Sequence, residues 1–183
     1  MKIIAPILFF FAFLASCGPA ESPERTKILA QISDTLLPAY REMKDLQVIQ
    51  VKTLQLANSW TVNQYETPSK AELRKIVNEQ YPAVKKNINA LAASWPLSQK
   101  QQVDALFRIQ DSCMTTVKDI MDVLNDSAAY YTEIRIQLRL ALADDNNELN
   151  TNFRTAESRL QKLLGEVEPQ LNMAIQQLKP ATK

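Results

Sequence analysis

Between residues 73 and 95 the apolar side chains fall at Leu73, Val77, Tyr81, Val84, Ile88, Leu91 and Trp95, always three or four apart. The same spacing returns at Val103, Leu106, Cys113, Val117, Ile120 and Leu124, with Gln110 as the one polar interruption. It returns again through Leu149, Phe153, Ala156, Leu160, Leu163, Val167, Leu171, Ala174 and Leu178. Such steps line one side of a helix, and helices of this kind hide that side by packing against one another.

The breaks between these runs carry start and stop signals. Ser22-Pro23-Glu24 reads as an N-cap followed by proline at the first helical position, and Thr67-Pro68 repeats it. Trp95-Pro96-Leu97-Ser98 ends one helix and offers Ser98 as a cap for the next, while Asn125-Asp126-Ser127 is the following polar break. The predicted helices span about 23–61, 68–95, 98–125 and 128–178. The expected fold is all-α, an up-down-up-down antiparallel four-helix bundle over residues 23–179. Loop one and the 125–127 turn belong at one end, with the 96–97 turn and the C-terminus at the other.

The fourth helix would be ~76 Å long, and Asp144-Asp145-Asn146-Asn147 is expected to bend or break it. A turn at 143–148 is the alternative to one at 125–127. The earlier turn is preferred because helices two and three then match in length. Residues 133–142, EIRIQLRLAL, alternate like a strand. A lone strand has no partner in such a chain, so the reading is a helix apolar on two faces, the second available to another subunit in a homodimer.

The first seventeen residues are of another kind. Met1 and Lys2 precede an apolar run from Ile3 to Ala15. That run is too short for a membrane-spanning helix, which needs ~20 residues, but fits a secretory signal peptide over 1–16. The run closes on Leu14-Ala15-Ser16-Cys17, which resembles the lipobox of bacterial lipoproteins. The resemblance implies that Cys17 receives a diacylglyceryl group on its sulfur, that the signal is cut before it, and that the new amino end is acylated. Residues 17–22 are then a lipidated tether. Gly18, rather than aspartate, follows the cysteine, which by analogy with lipoprotein sorting points to the outer membrane of a two-membrane cell.

Composition narrows the chemistry. The chain has 21 basic and 20 acidic side chains, and loss of Lys2 with the signal leaves them balanced, so no electrostatic footprint for nucleic acid remains. Histidine is absent, which excludes His-based acid–base catalysis and the Glu-x-x-His di-iron motif. The two glycines, Gly18 and Gly165, build no phosphate-cradling loop. No C-x-x-C pair suggests zinc. With Cys17 acylated, Cys113 has no partner in the chain and reads as a small buried hydrophobe. The expectation is therefore no catalytic residue, no metal, no cofactor and no enzyme.

The stretch NSWTVNQYETPSKAELRKIVNEQYPAVKKNINALAASW, residues 58–95, is similar to the extracytoplasmic four-helix-bundle sensor domain of methyl-accepting chemotaxis receptors and some sensor histidine kinases. Trp60, Glu79-Gln80-Tyr81-Pro82 and Ala92–Trp95 carry the likeness, and 120–132 shares it more loosely. The resemblance implies a bundle that binds a small ligand or senses a partner, often as a homodimer. The chain departs from that family in lacking flanking transmembrane helices and a cytoplasmic signalling part, so a sensed signal has to pass to another protein.

One level of the bundle is a candidate ligand site. Pro38 and Pro82 lie inside predicted helices and free the carbonyls of Asp34 and Asn78. Both count to ~20 Å above the base of the bundle, the height of Gln110 and Asp111. The expectation is a polar layer there, open to water or a small ligand. Trp60, Tyr65, Tyr81 and Trp95 are a second candidate cluster, for which core packing is the competing account. Two functions follow: a lipid-anchored sensor-like bundle for a small ligand or a membrane or periplasmic partner, and a structural or protein-interaction lipoprotein acting as a helical spacer.

Overall fold

The structure is a computed structural model that describes residues 22–63, 67–126 and 132–179, with the side chains of 22–57, 71–119, 121 and 147–179. Cys17, the signal segment and the tether up to residue 21 lie outside these residues, as do the side chains of Trp60 and Tyr65.

All described regular structure is helical, and four helices pack against one another. Helix α1 consists of α-helical Pro23–Gln31, a π turn at Ile32–Leu36 and α-helical Leu37–Asn63. Helix α2 repeats that plan with Thr67–Lys75, a π turn at Ile76–Gln80 and Tyr81–Ala92. Helix α3 is Leu97–Asp126 and α4 is Thr132–Leu178. The all-α bundle expected from the spacing is present.

The starts follow the sequence in part. Ser22 Oγ accepts the backbone N–H of Arg25 at 3.3 Å, with Pro23 behind it as the first helical residue. Ser98 is no cap. Helix α3 begins one residue earlier, and the Pro96 carbonyl accepts the N–H groups of Gln99 and Lys100 at 3.0 Å each. Residues 144–147 do not break the last helix, since α4 runs 47 residues through them. The turn therefore follows Asp126 rather than lying at 143–148. Residues 133–142 are helical, as preferred over a strand; their side chains, and the proposed second apolar face, lie outside those described.

The prolines act differently from a simple kink. Each π turn ends two residues before its proline, with Leu37 N–H bonding the Ile32 carbonyl and Tyr81 N–H bonding the Ile76 carbonyl. The widened turn shifts the hydrogen-bond register where the ring would clash with the carbonyl four residues back. Asp34 and Asn78 are exposed, so neither lines an internal layer.

The core falls into two clusters. The larger runs from Ala39, Met43 and Leu46 on α1 through Leu73, Ile76 and Ile88, Val103, Leu106 and Val117, to Leu149, Leu160 and Val167. The smaller contains Ile32 and Leu36 of α1 with Leu171 and Ala174 of α4. It consists of two helices only, because α2 ends at Ala92 and α3 begins at Leu97. The start of α1 and the end of α4 thus form a two-helix stalk beyond the four-helix body, so the 93–96 turn does not share a level with residue 23.

Candidate functional site

The stalk displaces the predicted layer. Asn87 Nδ2 donates to Glu42 Oε1 at 3.0 Å and Lys52 Nζ to Glu72 Oε1 at 2.8 Å, so α1 and α2 run in opposite directions. Counting from these two bonds brings Pro82 level with residues 42 to 47 of α1, and Pro38 lies roughly 6–13 Å below it. The two prolines do not share a height.

A polar layer nevertheless exists, built around Gln110. Among the described residues the buried polar side chains are Gln50, Thr53 and Gln110. Gln110 occupies an inward step of its stripe, between Leu106 and Met114, and is completely buried. Its Oε1 accepts Gln50 Nε2 from α1 at 2.9 Å. Gln50 Oε1 and Gln110 Nε2 make no hydrogen bond. Thr53 satisfies its own hydroxyl by donating to the Ile49 carbonyl at 2.7 Å. Gln50 and Thr53 escaped the sequence reading, although the same count finds them: Met43, Leu46, Gln50, Thr53 and Ala57 step by three and four.

Asp111 points the other way, to the rim. Its Oδ1 accepts the Tyr81 hydroxyl at 2.5 Å, and Lys85 Nζ donates to Oδ1 and Oδ2 at 2.8 and 2.6 Å. Tyr81 itself is buried, with its ring tilted against Phe107 at 6.4 Å between centroids. Burial, then the hydrogen bond to Asp111 and its charge, push the Tyr81 hydroxyl far above its ordinary value. The phenol is therefore a fixed donor rather than a base. The ion pair is partly open to solvent on both sides, so its net contribution is ~0–1 kcal/mol. Its structural effect is to tie α2 to α3 one residue away from the buried amides. Lys85 had no sequence signal beyond standing four residues after Tyr81.

The two candidate ligand residues thus separate: Gln110 is interior and paired, and Asp111 is neutralised at the surface. The aromatic cluster is not assembled from what is described, since Tyr81 belongs to this contact and Trp95 packs on the main core from the turn after α2. Among the described residues no group of three or more His, Cys, Asp or Glu side chains is placed to hold a metal ion. No described helix is long and apolar enough to cross a membrane.

Cys113 lies one turn along from Gln110, completely buried and free. Burial pushes its thiol from 9.0 up to about 12. The neutral thiol is favoured by the fold, so its contribution is complete below pH 9 and is lost as pH rises toward 12. Urea midpoints measured from pH 8 to 11 are expected to fall more steeply for the wild type than for Cys113→Ala. Parallel curves would show that this thiol does not couple to folding.

No protein-family model matches the chain, and no curated protein or solved structure matches it either.

Proposed function

We propose that this chain is an envelope lipoprotein, held at the membrane by acyl chains on Cys17, whose helical bundle serves as a protein-interaction module and spacer. The observation that supports the interaction reading is the packing at the candidate layer. Side chains of α1, α2, α3 and α4 join there in one continuous buried cluster, and Gln50 and Gln110 are closed off from solvent, joined to each other by one hydrogen bond. Ligand sites of bundles are instead concave, with polar groups presented to a vacancy. The anchor reading is supported by the four lipobox-like residues after an apolar run. The outer membrane is the address the glycine at 18 suggests, and no catalytic role is proposed.

A small-ligand sensor is the second reading, favoured by one observation. The unpaired Gln50 Oε1 and Gln110 Nε2 are a buried acceptor and donor that a small polar molecule offering both functions would satisfy.

Mass spectrometry of the protein purified from its membrane separates these readings. The expected result is a mature chain beginning at acylated Cys17 with no retained small molecule under native conditions. A stoichiometric small molecule would move the assignment to the sensor reading. A chain beginning elsewhere, or carrying no fatty acid, would remove the anchor.

A further inference from the structure

The boundary between body and stalk coincides with backbone weaknesses in both helices that cross it. On α1 the main core stops at Ala39 and the stalk core begins at Leu36. Pro38 and the π turn at Ile32–Leu36 lie at that point. On α4 the main core stops at Val167 and the stalk core begins at Leu171, and Pro169 lies between. Proline at 169 withdraws the donor for the carbonyl of residue 165. That residue is Gly165, exposed and with nothing within 4 Å of where a Cβ would sit, so no side chain braces the turn.

The two weak points face one another. Tyr40, two residues from Pro38, packs on the cluster that holds Leu171, two residues from Pro169; burial first, and then the charge of Glu168, raise that phenol's pKa. Tyr40 packs against the main core as well. On the body side α4 is held firmly, because Gln99 and Gln102 of α3 each donate to the Glu166 carboxylate at 3.2 Å. On the stalk side, among the described residues, only α1 packs on its core.

We propose that this junction is a hinge: the stalk of residues 23–36 and 170–178 tilts as a unit about Pro38, Pro169 and the Tyr40 side chain while the four-helix body stays rigid. Sharp bends in helices occur at prolines and π turns, and a hinge needs only a few positions able to absorb the change. Residue 27 is eleven residues beyond Pro38, a lever of ~16 Å, so a tilt of ~20° moves it by about 6 Å. The hinge does not depend on the anchor. With an anchor at residue 17, it sets the angle at which the body stands from the bilayer.

The test is a distance distribution by double electron–electron resonance on the full chain. Spin labels are carried on a keto amino acid replacing exposed Lys27 and Lys86, which leaves both cysteines untouched. A control pair at exposed Lys86 and Glu157 lies within the body. The stalk-to-body distribution is expected to be at least about twofold broader than the control. Pro38→Ala with Pro169→Ala is expected to narrow it to the control width, and Pro169→Ala alone to narrow it in part. A wild-type stalk as narrow as the control overturns the hinge. A distribution that stays broad in both variants, with helicity retained by circular dichroism, also overturns it, because the motion then does not originate at these prolines.

Discussion

Cys17→Ser is expected to abolish stable membrane attachment, the largest single change available in this protein. A serine hydroxyl cannot take the thioether-linked diacylglyceryl group, and every later acylation step in the lipoprotein resemblance follows from it. One acyl chain holds a protein only marginally, with a partition constant of ~10⁴ M⁻¹, while each additional buried CH₂ contributes ~0.8 kcal/mol. Two or three chains on one residue therefore separate permanent from absent attachment. No described helix offers a substitute span. Fractionation of cells expressing the variant is expected to find it unprocessed or lost from the membrane pool. A processed variant that stays in the membrane like the wild type would show that the cysteine is not the anchor. The bundle itself is expected to be unaffected, since its cap and first turn begin at Ser22.

The second large effect concerns the buried amides. Gln110→Leu leaves Gln50, 3% exposed, with no partner for either polar atom of its amide. An orphaned buried polar group costs about 1–3 kcal/mol, and the gain from a buried leucine only partly offsets it. Gln50→Leu is expected to destabilise by a similar amount for the mirrored reason. The double variant removes both amides and the unmet acceptor and donor of the native pair. It is expected to be at least as stable as the wild type, as when buried polar pairs give way to apolar residues of similar volume. Urea unfolding of the four proteins closes a double-mutant cycle, with an expected coupling of about 1–3 kcal/mol. Additive effects would mean that the glutamines do not act as a pair. What the double variant is expected to lose is register. A polar pair at one inward level penalises any slide of α1 against α3 that would leave an amide facing leucine.

These expectations also mark how far local pattern reached. The spacing of apolar residues, with the cap and proline signals between the runs, placed all four helices to within a few residues, because amphipathic helices of this length have no other way to bury their stripes. It identified Gln110 as anomalous, and one polar residue in an apolar stripe is an anomaly that needs no neighbour to be seen. Its partner was visible to the same count on α1, where Gln50 and Thr53 take inward steps. The pairing of the two was not visible, because it depends on which helices lie side by side and at what height.

Height is where the sequence argument failed, and for one physical reason. Counting residues from helix ends assumes that the ends are level. Here α1 and α4 continue past the turn between α2 and α3, since Ile32 and Leu36 find Leu171 and Ala174 without any third helix. That offset moved Pro38 away from Pro82, while Asp111 does meet Tyr81, beside Pro82, at the height the count gave for both.

By itself, then, the chain's order of residues determined the helical class, the helix limits to within a few residues, the inward place of Gln110 and Cys113, and the absence of histidine chemistry. Each is a property of one residue or one helix, set by local spacing and composition. Only the tertiary structure decided that Gln110 meets Gln50, that Asp111 is neutralised by Lys85, and that a stalk divides from the body at Pro38 and Pro169. Each of these depends on the relative heights of separate helices, which are set by the summed fit of all their side chains and by no short stretch of sequence.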